Sequence, residues 1–183
     1  FDLAELHGDE LVCLNGKFYG ELYNDGLSNM SLNDFIPSLI QGKIQYLKEI
    51  RVKYVEIRFF KYECWKCHKQ SDVYFVHETV SENGIETGTT IDPFTPQLAK
   101  GVKEYMKNHP EEKLIMGDIK PRFSKTRKQE YPSFGCPYCD SLFGQHYIND
   151  DINELCYDVK SLQKARIEIP DGIIASTNLW YKQ

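Results

Sequence analysis

The chain has 183 residues and a net charge of −5, and 41 % of its residues are hydrophobic, 27 % charged and 13 % aromatic. Those proportions suit a folded core and exclude collagen-like, low-complexity and wholly disordered chains. No apolar run reaches the ~18–20 residues of a membrane-spanning helix and no basic-then-apolar leader opens the sequence, so the expectation is a cytoplasmic protein with no membrane partner.

In chain order, Leu11-Val12-Cys13-Leu14, Asn15-Gly16 and Lys17–Tyr23 predict an N-terminal hairpin over about 10–24. Asn-Gly supplies the two positive-φ positions of a type I′ turn, and β-formers flank it. Ser31, with Asp34 three residues on, predicts a short helix that Pro37 limits or bends. Lys53–Tyr62 and Asp72–Val80, rich in β-branched and aromatic residues, predict two strands joined across a first cysteine pair, with a turn at Ser81–Gly84. Thr95-Pro96 reads as a helix start, a capping hydroxyl followed by a residue with no amide to donate. Leu98, Val102, Tyr105 and Met106 then recur at helical spacing until His109-Pro110, which gives an inserted helical segment over about 90–112. Leu114–Phe123 predicts a strand broken by Gly117 and Pro121, and Leu142–Ile148 a strand leaving a second cysteine pair. Asn149 or Asp150 is expected to cap a helix running to about Leu162, and Ala165–Ile169 to form a short closing strand. The class is α+β: mostly antiparallel strands and two to three helices, in one domain spanning 1–183.

Charge is segregated along the chain. Residues 43–69 sum to +5, residues 113–128 again to +5, and everything else to −15. The stretch 140–158 holds five carboxylates and no Lys or Arg. A basic face on an acidic body attracts phosphates while the overall charge keeps the protein soluble.

The sharpest signal is Cys64-Trp65-Lys66-Cys67 with Cys136-Pro137-Tyr138-Cys139, two C-x₂-C pairs separated by 68 residues. Each pair can fold as a tight knuckle that presents two thiolates to one cation, and two knuckles complete the tetrahedral sulfur shell that zinc favours. Doubling a loop costs only ~0.6 kcal/mol in closure entropy. Zinc binding in small fingers is worth ~10–16 kcal/mol, so the long insertion is no obstacle. The expected ribbon comprises about 53–80 and 131–148. Four thiolates leave no open position, so the zinc expected at Cys64, Cys67, Cys136 and Cys139 is structural. His68 and Asp140, right after each knuckle, should adopt left-handed backbone, which His and Asp enter more readily than most residues.

Other chemistries use the same residues. Cys64 through His68 matches the c-type haem signature, with His77, Met106 or Met116 as axial candidates, but that needs an oxidising compartment and leaves the second pair unexplained. Cys136–Cys139 resembles a glutaredoxin motif, yet only 44 residues follow it. Two disulfides would call for a secretory signal. Zinc is the expectation carried forward.

Phe60-Lys61-Tyr62-Glu63-Cys64-Trp65-Lys66-Cys67, together with Arg122-Phe123-Ser124-Lys125-Thr126, Tyr131, Cys136-Pro137-Tyr138-Cys139 and Phe143-Gly144-Gln145, resembles a scattered group of uncharacterised bacterial proteins. In these a C-W-x-C knuckle and a C-P-x-C-G-x-x-x-G-x knuckle frame an insertion. Asp140 stands here where that pattern has Gly. The resemblance covers roughly residues 50–150 and implies a split zinc ribbon and no activity.

Trp65, Tyr131, Phe134 and Tyr138 lie in or beside the knuckles and basic segments. Bases stacking on aromatics, with Lys and Arg on phosphates, is how such modules hold single-stranded or distorted nucleic acid. The expected binding groups are Arg58, Lys69, Arg122, Lys125, Arg127 and Lys128. The competing explanation is that the rings shield the metal while Lys61, Lys66, His68 and Lys69 balance its formal −2. A protein-interaction module of accessory or immunity type, using the acidic body, is the alternative function. A nuclease-like hydrolase comes third, resting on Asp118-Ile119-Lys120 and Asp158-Val159-Lys160. No phosphate-binding loop, dinucleotide fingerprint or nucleophile elbow is present, so no catalytic residue is assigned. Cys13 and Cys156 read as small hydrophobes.

Overall fold

The computed structural model describes residues 5–7, 10–13, 17–23, 32–82, 84, 86–87 and 91–182. It divides into two compact units, residues 1–51 with 174–183, and residues 52–173. The class is α+β, with three α-helices among the described residues and sheets that are mostly antiparallel. None of those helices is long and apolar enough to cross a membrane.

In the first unit, β1 (Glu5–His7), β2 (Glu10–Cys13) and β3 (Lys17–Tyr23) pair antiparallel in sequence. The expected N-terminal hairpin is β2–β3. Its register pairs Cys13 with Lys17, which leaves three residues between the strands rather than the two of a type I′ turn; the loop itself lies outside the described residues. β3 runs parallel to residues 179–181. Helix α1 (Leu32–Ile40) continues through Pro37, which gives up one backbone hydrogen bond without ending the helix. It closes where Gln41 N–H donates to the Pro37 carbonyl and Gly42 takes a φ of 72°, a left-handed exit that Gly makes without steric cost.

The second unit is built on a hairpin. β4 (Ile44–Glu63) and β5 (Gln70–Ser81) pair antiparallel from Val52↔Ser81 to Glu63↔Gln70, with register shifts between Val52 and Tyr54 and between Glu56 and Ile57. Both predicted strands are present, and both are longer than expected. β6 (Glu86–Thr87) flanks β5. After helix α2 (Pro96–Asn108) come the two-stranded sheet β7 (Lys120–Ser124) and β8 (Gln129–Ser133), helix α3 (Gln145–Leu155), and β9 (Gln163–Lys182), which lies beside β4. β9 alternates cleanly, with Ala165, Ile167 and Ile169 buried and Arg166, Glu168 and Pro170 exposed, the period-2 pattern of a half-buried strand.

The hairpin is covered on both faces at its far end, where Ser71 to Phe75 are buried in succession. On one face Phe59 and Tyr74 meet Tyr105 of α2 and Phe134, with Tyr74 and Phe134 edge-to-face at 5.1 Å. On the other, Tyr62 packs on Phe143 at 4.7 Å and Phe60 on Phe75 at 6.2 Å. Helix α2 buries Leu98 and Val102, as its periodicity predicts. Thr95 precedes it, but its hydroxyl donates to the Asp92 carbonyl at 2.6 Å instead of capping the helix. Gly101 is what lets α2 reach β9, since a Cβ there would stand 2.5 Å from Ile167 Cγ2.

Three sequence expectations are corrected. Only Leu142, in a bridge to Gly135, belongs to the strand expected over 142–148; the chain turns helical at Gln145. Ile148 is the one buried residue of this helix and its neighbours Tyr147 and Asn149 are exposed, so no run of alternating buried positions is there to hold a strand. The helix expected to reach Leu162 ends at Leu155 and gives way to a 3-10 segment, Cys156–Ser161, broken at Asp158 (φ −134°, ψ 41°). The strand expected over 114–123 forms only at 120–124. Before it, the Asp72 amide donates to the Ile115 carbonyl while the Ile115 amide donates to the Asp72 carboxylate, and Gly117 passes so close to the Gly135 carbonyl that a Cβ would lie 2.1 Å from its oxygen. β8, rich in Gln, Glu and Pro, carries no strand pattern and is specified by its partner β7.

Candidate metal centre

The first cysteine pair sits at the turn of the β4–β5 hairpin, and the second follows β8. Their local structures repeat. Cys64 N–H donates to the Lys69 carbonyl at 3.0 Å and His68 N–H to the Cys64 carbonyl at 2.9 Å. Cys136 N–H donates to the Ser141 carbonyl and Asp140 N–H to the Cys136 carbonyl, both at 2.9 Å. The residue after each second cysteine is left-handed, His68 at φ 57° and Asp140 at φ 56°, as the motif predicts. Each knuckle thus aims two thiols out of one tight turn.

What brings the knuckles together is packing. Phe134 and Phe143 flank the second pair and grip opposite faces of the hairpin that carries the first. Phe143 N–H donates back to the Phe134 carbonyl at 3.1 Å, closing the clasp. The Trp65 indole N–H donates across the knuckles to the Leu142 carbonyl at 3.0 Å, and the Lys69 ammonium stands 4.7 Å from the Tyr138 ring centre. Trp65 is 66 % exposed, so its visible role is this tie.

The result is a tetrad. The sulfur atoms of Cys64, Cys67, Cys136 and Cys139 all lie within 4.8 Å of one another, with Cys64 to Cys139 at 3.6 Å and Cys67 to Cys136 at 3.5 Å. No disulfide joins them. A tetrahedral cation with metal–sulfur bonds of ~2.3 Å requires sulfur–sulfur edges of ~3.8 Å, so the arrangement fits a metal ion. Cys64 and Cys136 are buried, while Cys67 and Cys139 are partly exposed. The Ser141 hydroxyl, 3.2 Å from Cys139 Sγ, and then the Ser141 amide bring that thiol down to about 6. The Lys69 amide draws Cys67 down too, but burial and the three neighbouring thiols outweigh it and push Cys67 up to about 12. Four thiolates this close would need a cation among them, and a divalent ion could supply it.

The second knuckle has a support that sequence reading assigned elsewhere. Arg122 was expected at a binding face, but it is buried with its guanidinium fully engaged. Nη1 donates to the Ser133 carbonyl at 2.7 Å, while Nη2 donates to the Asp118 carbonyl at 3.0 Å and to Asp140 Oδ1 at 2.7 Å. Gly135 leaves the room for it, since a Cβ there would fall 2.3 Å from the Arg122 guanidinium carbon. Lys120 takes the other Asp140 oxygen at 2.7 Å. Held by Lys120 and then by Arg122, the Asp140 carboxyl lies below its usual range. Arg58 is likewise turned inward, 9 % exposed and paired with Glu56. Neither arginine offers its charge to a phosphate. Lys69, Lys125, Arg127 and Lys128 are exposed, the last three at the β7–β8 turn. There Lys128 is left-handed and the Arg127 guanidinium lies 4.8 Å from the Tyr131 ring centre. The triplet Asp118-Ile119-Lys120 is spent in ion pairs, Asp118 with Lys103 at 2.6 Å and Lys120 with Asp140. The roles of Ser141 and of the Arg122–Asp140 pair were missed, because neither makes a spaced motif.

Compared with known proteins, the chain matches no family model, no curated protein and no solved structure.

Proposed function

We propose that this chain is a structural-zinc module: one Zn²⁺ held by Cys64, Cys67, Cys136 and Cys139 closes a split ribbon of the kind seen in the bacterial proteins it resembles, and the ribbon presents an exposed basic hairpin to nucleic acid. The observation that carries the metal assignment is the mutual proximity of four unbridged thiols on two matching knuckles. All-sulfur tetrahedral sites suit zinc, and a closed shell supports a structural role. The nucleic-acid reading is supported by Lys125, Arg127 and Lys128 at one exposed turn, with Tyr131 under Arg127 and Tyr138 under Lys69. Metal analysis of chain purified without added chelator is expected to give about one zinc per chain, and Cys136→Ser to abolish it. Anisotropy titration of labelled oligonucleotides is expected to weaken with salt, each neutralised phosphate adding about −0.7 to −0.9 to the log–log slope. Zinc without oligonucleotide binding at low salt would leave the metal centre and remove the nucleic-acid role.

A second reading has its own observation. Asp150, Asp151 and Glu154 cluster on α3, where burial, then Glu154 and Asp150, raise the Asp151 carboxyl, and Tyr147 beside them is 65 % exposed. That face suits a basic protein partner, and co-purification of a basic protein lost on Asp150→Lys would favour it.

A further inference from the structure

Beside the β7–β8 sheet lies a groove of about 400 Å³ that the metal centre does not use. Its apolar lining includes Phe94, Met116, Pro121 and Pro132, and Lys100, Lys103 and Lys120 also line it; no carboxylate is among its described lining residues, though Glu104, Asp118 and Asp140 stand beside those lysines. Pro121 and Pro132 face each other across the strand pair, so that rung offers no amide donor and the floor presents no backbone N–H there. Lys103 and Lys120 each have one carboxylate partner, Asp118 and Asp140, and an ammonium carries three donors, so each keeps N–H groups to offer. Lys100 has only a 4.0 Å contact with Glu104 and is 78 % exposed. Along β7 the basic series continues from Lys120 at the rim to Lys125 at the turn, about 16 Å at strand rise.

We propose that this groove receives unpaired bases of a single-stranded nucleic acid whose phosphates lie on Lys100, Lys103 and Lys120 and run on to the cations of the β7–β8 turn. The inference rests on the nucleic-acid reading above and names its substrate class. An acidic peptide would satisfy the groove alone, but the cations extend past it onto the hairpin, where an extended polyanion gains contacts. A duplex keeps its base faces stacked inside and turns phosphates outward, so the apolar floor rewards only a base that is out of the stack. A groove of this size is in the range of small-ligand pockets, with room for a nucleotide and none for a double helix. With no hydrogen-bonding side chain on the floor, recognition tolerates any base.

The test is anisotropy titration of the zinc-loaded full chain with a labelled oligothymidine and with a duplex of mixed sequence, at low salt. Single strands are expected to bind about tenfold more tightly than duplex, the scale of one stacked base. Ala99→Phe, which plugs the groove, and Pro132→Glu, which puts a carboxylate on its floor without filling it, should each erase that preference while duplex binding stays. Unchanged zinc content and far-UV spectra show that either variant is folded. Lys125→Gln with Arg127→Gln and Lys128→Gln should weaken both ligands together. Equal binding of both ligands, or a preference that survives both groove variants, overturns the groove assignment and leaves the basic-hairpin reading standing. Displacement by polyglutamate but not by unlabelled oligothymidine assigns the groove to an acidic protein segment and overturns it as well. No binding of either oligonucleotide removes both proposals.

Discussion

His68 and Asp140 occupy equivalent places in the two knuckles with almost the same left-handed φ, and their side chains set them apart. A non-glycine residue there costs about 1–2 kcal/mol. His68 offsets that only with an exposed contact to Glu63 at 3.1 Å. Asp140 offsets it with Arg122 and Lys120. His68→Gly is therefore expected to raise stability by about 1 kcal/mol, while Asp140→Gly, relieving the same backbone, lowers it by stranding a buried guanidinium. Urea denaturation of both variants at equal zinc loading checks this, and an equal gain from both would show that the Asp140 ion pairs contribute nothing. At the second knuckle this accounts for the missing glycine: the Lys120 and Arg122 contacts of Asp140 offset the cost of its left-handed backbone.

At the scale of elements, the contact between α2 and β9 depends on one missing carbon. Gly101 costs the helix about 1 kcal/mol in propensity relative to Ala, yet a Cβ would stand 2.5 Å from Ile167 Cγ2. Gly101→Ala is thus expected to destabilise by about 1–2 kcal/mol despite the better helix former. In an Ile167→Ala background the same change should become neutral or stabilising. A double-mutant cycle by thermal or urea unfolding reads the coupling, and additive effects would place the glycine's value elsewhere. The β4–β5 hairpin follows similar logic: Asp72, buried, accepts from Lys61 and from the Ile115 amide, which pins the chain after α2 to the strand that leaves the first knuckle. These two packings, helix on strand and loop on hairpin, return the chain to where the second knuckle is needed.

At the scale of the molecule, the four-cysteine cluster joins residues far apart in sequence, and an ion held there only by the folded state would stabilise it by mass action. Chelation is expected to lower the thermal midpoint, and a stoichiometric zinc supplement to restore it. A midpoint that ignores chelator would mean that the phenylalanine clasp alone holds the knuckles and that the ion adds no stability. Much of this arrangement was legible beforehand. The two C-x₂-C pairs, the strands around the first, the α2 periodicity and the left-handed positions after each knuckle are local patterns, decided within a few residues by spacing, β-branching and capping chemistry. The destination of Arg122 was not, because an arginine buried by carbonyls and a carboxylate from other segments has the same neighbours in sequence as one in solvent; Arg58 pairs with Glu56 on its own strand, but its burial comes from packing that the sequence order does not show. β8 and the start of α3 escaped for a related reason: their local preference is weak, and partners from elsewhere in the chain chose for them. By itself, the sequence determined the class of fold, the four thiol donors and the two knuckles that present them, since these follow from short-range sterics and donor chemistry. Only the tertiary structure decided that the knuckles meet, which cations face water and where an apolar groove opens, because burial and charge pairing are properties of contacts between segments that the chain order does not encode.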